Sequence, residues 1–278
     1  MELIRRTGKL RPSVEDGIEL SGIEMLHPGG HALTQRTAEL AGLASPDQAS
    51  QTTSRRVLDV SSGRGTQSIF YAKEYGWQVT GIDINPLMVS KSKQNAELVG
   101  VGHLVQFDQG DSQSLPYANE SFDAVINECA VGIPDDPRRV LQEMVRVAKR
   151  GARIVIHEST WIKPLSRERK MELAERYGTT PLECDEWKSL LEDAGLNVDT
   201  IELTPWSKPE MFWAIRSDRQ PRGFSDILTL SERMTTMGQI CRQFGCVGVL
   251  RAFQNERVFT RAVMSGEIGY GIYSGVKR

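Results

Sequence analysis

Several things are scarce in this 278-residue chain, and each scarcity excludes a class of protein. There are four cysteines, Cys129, Cys184, Cys241 and Cys246, with no Cys-x-x-Cys pair. So few and so scattered, they rule out a disulfide framework and argue against structural zinc. Cys241 and Cys246, five apart, are not expected to share one helix face, so neither a metal site nor a disulfide is expected there, and no metal is expected elsewhere. Charge of one sign is lacking too: 34 Lys+Arg against 36 Asp+Glu leave a formal net charge of -2. Without a basic field to steer it toward phosphate backbones or anionic lipid, the chain is expected to have neither nucleic acid nor membrane as partner. No apolar run approaches the roughly 18 residues of a membrane span. The opening Met1–Arg6 leads into no apolar stretch of the secretory kind, so a cytoplasmic location is expected. Internal repeats and low-complexity tracts are absent.

What is present is an ordinary globular composition, 39% hydrophobic and 25% charged, in a chain long enough to bury about three quarters of its unfolded surface. Residues 1–54 are polar and mixed, with an amphipathic helix predicted from His31 to Leu43. From there short β-branched runs alternate with helical spacing. Strands are predicted at Arg56–Val60, Gln78–Ile82, Leu104–Phe107, Phe122–Ile126 and Arg153–His157, with helices at Gly65–Tyr75, Pro86–Leu98 and Pro137–Lys149. That rhythm implies βαβ units around a parallel sheet. Helices at Leu165–Arg176 and Cys184–Ala194, a sixth strand at Asn197–Leu203, a helical stretch over Ser225–Met264 and a closing strand at Gly269–Val276 complete the pattern. If that strand rejoins the sheet, the organisation is an α/β core of 55–205 with 266–278, an N-terminal helical segment of 1–54, and a helical insertion of 206–265.

The chemistry gathers at strand ends. Ser61-Ser62-Gly63-Arg64-Gly65-Thr66 follows the first strand as a tight turn where bare backbone can meet a ligand. Asp83 ends the second strand, 20 residues beyond Gly63, where a carboxylate can accept from both hydroxyls of a ribose. Alternatively, Asp83 could merely cap the helix begun by Pro86. After the third strand, Gly110-Asp111-Ser112 sets another acid on the edge where open α/β sheets bind ligands.

Asp59 inside the first strand, the Ser-x-Gly-x-Gly turn, Asp83, and Gly110-Asp111 with Leu115-Pro116 together resemble the class I S-adenosylmethionine-dependent methyltransferases, most closely over residues 55–160. The resemblance implies a Rossmann-like fold with a mostly parallel seven-stranded sheet flanked by helices and a helical insertion before the last strand. It implies S-adenosylmethionine as cofactor, with S-adenosylhomocysteine as product, and no metal. Gly63 and Gly65 would line the methionine part, Asp83 would hold the ribose hydroxyls, Asp111 would accept from the adenine amino group, and Ser112 would flank the ring. Asp59, Ser61, Ile84 and Asn127 complete the implied cofactor set. Ser61 is a departure, since the family usually has glycine there. Relatives also use an amino-terminal helix over the cofactor, a role open to Leu26–Gly30 alongside that of a plain helix-start loop. A dinucleotide dehydrogenase half-matches the turn, but Ser68 replaces its third glycine, Asp59 sits where it has an apolar residue, and Gly110-Asp111 has no counterpart there.

Methyl transfer is an in-line displacement that asks mainly for alignment and exclusion of water. The acceptor is expected at Asn127-Glu128-Cys129-Ala130-Val131-Gly132-Ile133-Pro134, which lacks the Asn/Asp-Pro-Pro-Tyr/Phe signature of enzymes that methylate amino groups of nucleic acids and proteins. A small-molecule acceptor is therefore expected. Glu128, Cys129 and His157 are the candidate catalytic residues. Glu128 or the pair His157-Glu158 could take a proton, or His157 could be a satisfied buried histidine. Cys129 occupies the place of an arsenic-binding cysteine in arsenite methyltransferases, though Tyr177–Thr180 lacks the partner cysteine and Cys184 comes later; a small packing residue is the other reading. Trp161, Trp187, Trp206 and Trp213, with Met211, Phe212, Phe224, Met234 and Met237, could form a dry lid, a core or a homodimer contact through 206–265. Retention of the fold as a non-catalytic cofactor-binding or interaction protein is the alternative of another class.

Overall fold

The structure is a computed structural model that describes residues 12–21, 29–42, 55–134, 136–208, 211, 221 and 226–278. Leu26, His27, Pro28, Phe212, Trp213 and Phe224 lie outside them. Seven strands form one sheet: β1 (Arg56–Val60), β2 (Gln78–Asp83), β3 (Val105–Gln109), β4 (Phe122–Glu128), β5 (Ala148–Trp161), β6 (Leu196–Pro205) and β7 (Ile268–Lys277). Their spatial order is β3-β2-β1-β4-β5-β7-β6. The pairs β1/β2, β2/β3, β1/β4 and β4/β5 are parallel. β7 runs against its neighbours: the Ile162 N–H donates to Glu267 at its start while Arg153 reaches Ser274 near its end. The chain steps outward from β1 to β3 and then crosses back to β4, so β1 and β4 flank the point where strand order reverses and a crevice opens at their carboxyl ends.

The helices start and stop where local chemistry tells them to. In α4 (Pro86–Val99) the Asn85 side chain accepts from the Leu87 N–H, Pro86 sits in the first turn, and Gly100 ends it at φ 81°. Asp136 caps α5 (Pro137–Val147) by accepting from the Arg139 N–H. Thr66–Tyr75 forms α3, Arg167–Tyr177 α6 and Cys184–Asp193 α7. Gly30–Leu40 forms α2, and α1 (Val14–Ser21) stands in a stretch whose polar mixture gave no periodic signal.

The central strands bury both faces because successive residues point to opposite sides. Leu58, Val125, Ile154 and Ile156 join Leu141, Met144, Trp187 and Leu191 in one core. Val57, Ala124, Ile126 and Val155 join Tyr71, Ala72, Val89 and Phe107 in the other. Each large side chain so buried contributes roughly 1.5–3 kcal/mol.

The chain divides into two compact units. One comprises His31–Thr160, Leu182–Thr204 and Tyr270–Arg278 and contains both cores. The other comprises Met1–Gly30, Trp161–Pro181 and Pro205–Gly269, and in it Tyr177 stacks on Phe259 at 4.7 Å with Trp206 edge-on to Phe259. Its long helix α8 (Leu230–Met264) is two arms, broken at Gly245 (φ 71°, ψ 178°). Arg233 and Glu256 would stand about 34 Å apart along a straight helix, yet they form a 2.5 Å ion pair, so the arms fold back on each other. This reversal also corrects the expectation for Cys241 and Cys246, whose sulfurs lie 3.7 Å apart.

Candidate functional site: a carboxylate-lined edge of the sheet

The turn after β1 is built on three residues with positive φ: Ser61 (59°), Gly63 (54°) and Gly65 (76°). A serine in this left-handed conformation bears a strain of about 1–2 kcal/mol that glycine would not. The two glycines serve different ends. A Cβ on Gly65 would lie 2.6 Å from the Phe107 ring and 2.8 Å from the Ser92 Cβ, so this glycine lets α3 pack against β3 and α4. A Cβ on Gly63 would have nothing within 4 Å, so Gly63 bares its backbone to open space. Just beneath, Asp59 is buried and accepts from the Ser68 hydroxyl at 2.6 Å. Burial pushes its carboxyl up to about 7, and the negative charges of Glu128 and Asp83 push the same way while the Ser68 hydrogen bond opposes them.

Asp83 closes β2. One of its oxygens accepts from the Gly63 N–H at 2.9 Å and the other from the Asn85 N–H at 2.8 Å. The carboxylate thus ties the glycine turn to the helix-start loop, and each oxygen keeps a lone pair. Asp83 is therefore not the cap of α4, a place taken by Asn85; it holds the Asn85 backbone from outside the helix, and one acid can brace the loops and still accept from a ligand. The Gly110 N–H donates to the Asp83 carbonyl, bringing the β3 end alongside. Asp111 accepts from the Gln113 N–H at 2.8 Å, Ser112 is buried next to it, and Ile84 is 48% exposed.

The end of β4 carries the third part. Asn127 is fully buried; its side chain donates to the Val60 carbonyl at 2.8 Å and accepts from the Ala130 N–H at 3.0 Å, linking the edges of β1 and β4. Glu128 accepts from the fully buried Tyr71 through one oxygen and from the Thr34 hydroxyl of α2, at 3.0 Å, through the other. Cys129 sits at φ 64°, its N–H donating to the His157 carbonyl. His157 pairs with Glu128 across β4/β5, but its ring is fully buried and stacks on Tyr270 at 4.8 Å. Glu158 is buried as well, accepting from the Val131 N–H at 2.5 Å. Burial pushes its carboxyl up to about 7 against hydrogen bonds from the Val131, Gly132, Ser159 and Ala130 backbone. This carboxylate shapes the loop 130–132.

Asp59, Ser61, Gly63, Gly65, Asp83, Asn127, Glu128 and Cys129 therefore gather around neighbouring strand ends, with Asp111 and Ser112 one strand further along and His157 beneath the β4 loop. Sequence reasoning missed Ser68, Tyr71 and Thr34 as partners of these acids, and missed Glu158 as a loop organiser. An acid inside a strand as apolar as β5 was the available signal, since a buried carboxylate needs donors.

The arrangement suits a cationic ligand with a ribose. Two charges near a third, buried acid raise its affinity for a proton, and a ligand carrying positive charge relieves that repulsion. The open Gly63 turn lies beside the Asp83 carboxylate, which can accept from paired hydroxyls. The features implied for S-adenosylmethionine are thus met by the residues present. Among the described residues no group of three or more His, Cys, Asp or Glu converges as a metal site.

A family described as a methyltransferase domain matches residues 58–156. The uncharacterized methyltransferase YodH of Bacillus subtilis is 30% identical over 190 residues, covering 68% of this chain and 76% of that one. An arsenite methyltransferase of Halobacterium salinarum is 30% identical over 153 residues, 54% of this chain and 38% of that one. Among solved structures, the [4+2]-cyclase SpnF superposes with a TM-score of 0.71 at 20% identity, covering 96% of this chain and 97% of that one. Matched in sequence from the first strand to the fifth and in fold throughout, the chain belongs to the class I S-adenosylmethionine-dependent methyltransferases.

Proposed function

We propose that the protein methylates a small-molecule acceptor at the carboxyl edge of β1, β2 and β4. The observation that carries this reading is the convergence of Asp59, Asp83 and Glu128 around the open Gly63 turn. S-Adenosylmethionine supplies an electrophilic methyl group on a sulfonium. Asp83 would accept from its ribose hydroxyls and Asp111 from the adenine amino group, with Ser112 and Ile84 placed to flank the ring. Glu128, held in place by Tyr71 and Thr34, would face the cationic amino-acid portion, and that positive charge would favour loss of the proton that burial holds on Asp59.

The acceptor then lies against the loop after β4. Asn127 and Glu158 hold this loop through its backbone, so its shape is set before the acceptor arrives, the kind of positioning that an in-line displacement needs. Cys129 fronts that loop in a strained backbone conformation. The backbone carbonyl of His157 fixes the Cys129 amide.

A second reading rests on Cys129 and on the arsenite methyltransferase among the relatives: a soft, thiol-bound acceptor. Opposing it, Cys184 begins α7 packed against the core, and burial holds its thiol up beside Tyr273. The experiment is release of S-adenosylhomocysteine across a panel of small amines, alcohols, carbon acids and arsenite with thiol present. Turnover of an organic acceptor that survives Cys129→Ser supports the leading reading. Turnover of arsenite alone, lost in Cys129→Ser, supports the second. Cofactor binding without transfer to any acceptor contradicts both.

A further inference from the structure

The reversal of α8 carries two thiols at its tip. In an uninterrupted helix, residues five apart are turned about 140° from one another and offset by about 7.5 Å along the axis, and their side chains diverge. Gly245 breaks that geometry, and the Cys246 sulfur comes within 3.7 Å of the Cys241 sulfur. Both are free thiols; Cys246 is exposed and Cys241 partly so. Proximity to Cys246 raises the Cys241 thiol.

We propose that Cys241 and Cys246 are an oxidisable dithiol that closes to an intramolecular disulfide by exchange with a small-molecule disulfide such as oxidised glutathione. The exposed Cys246 thiolate attacks one sulfur of the small disulfide, whose S–S bond breaks and releases one thiolate. The Cys241 thiolate then attacks the Cys246 sulfur of the mixed disulfide, forming the Cys241–Cys246 bond and releasing the second small thiolate. Two electrons pass from the pair to the small disulfide, and the two protons of the cysteines end on the released thiols. The sulfurs must approach to about 2.05 Å, and Gly245 has already supplied the backbone turn that brings them near. Closure fixes the angle between the arms, and with it the apolar cavity that Ile240, Thr236 and Ala252 line around the Arg233–Glu256 pair.

The test exposes the full chain to graded ratios of oxidised to reduced glutathione, quenches in acid, blocks free thiols with N-ethylmaleimide and digests with trypsin without reduction. Cleavage after Arg242 separates the two cysteines, so the disulfide links peptide 234–242 to peptide 243–251. This linked pair is expected at ratios at least ten-fold lower than those that modify Cys246 in Cys241→Ser, where Cys246 should instead hold glutathione as a lasting mixed disulfide. A native chain that accumulates glutathione on Cys246 with Cys241 still free overturns the proposal. So does a native pair that reacts with N-ethylmaleimide at the ratios that already modify the variant.

Discussion

Asp59→Asn should change how stability depends on pH, and by a large amount. Asp59 is 2% exposed, and its folded carboxyl stands at about 7 against an ordinary 3.8. Below pH about 4 the group is protonated in both states. Between about 4 and 7 the unfolded chain has lost a proton that the folded chain keeps, so stability falls as pH rises, by up to about 1.4 kcal/mol per pH unit. Above about 7 the folded chain is ionised too and the loss, on the order of 4 kcal/mol, is complete. Asparagine cannot ionise and keeps an oxygen that can accept from Ser68. Relative to the native chain, the variant should therefore gain about 2–4 kcal/mol between pH 5 and pH 8. Glu158 contributes a slope of the same sign to both proteins, so the difference between them isolates Asp59. Urea unfolding followed by tryptophan fluorescence at pH 5, 6, 7 and 8 measures it. Parallel pH profiles for the two proteins would refute the reasoning.

The two turn glycines should separate fold from ligand. Gly65→Ala meets both the strain of positive φ and the Phe107 ring, and should cost about 3 kcal/mol or more in urea unfolding. Gly63→Ala should cost only about 1–2 kcal/mol, yet weaken S-adenosylmethionine binding at least ten-fold in calorimetry, because its Cβ occupies the open side of the turn. Tyr71→Phe removes a buried donor to Glu128 and should destabilise by about 1–3 kcal/mol; a double-mutant cycle with Thr34→Val should show non-additive losses, since both hydroxyls serve one carboxylate.

The sheet was largely legible from sequence because β-branched runs and helical spacing alternate without interruption from Arg56 to His157. Asp59, Gly63, Asp83 and Asp111 were legible because each stands at a fixed offset from a strand end. The partners that give those acids their properties were not. Tyr71 and Thr34 lie 57 and 94 residues from Glu128, and only the folded chain brings them together. Asp59 could be placed in β1, but its proton affinity depends on burial and on charges from β2 and β4. The reversal of α8 was hidden for a different reason: apolar spacing runs through both arms, and of the three glycines in the stretch, Gly238, Gly245 and Gly248, only Gly245 leaves the helical conformation, a difference that the sequence does not mark because an isolated glycine is tolerated in a helix. The convergence of Cys241 and Cys246 was hidden with it.

The central claim is that the carboxylate edge holds S-adenosylmethionine, and calorimetric titration of the native protein and Asp83→Ala tests it most directly. Native protein should bind in the micromolar range. The variant should bind about 10- to 100-fold more weakly, for about 1.5–3 kcal/mol of lost hydrogen bonding to a carboxylate, with its urea unfolding still cooperative. No binding by the native protein, or equal affinity in the variant, would contradict the account.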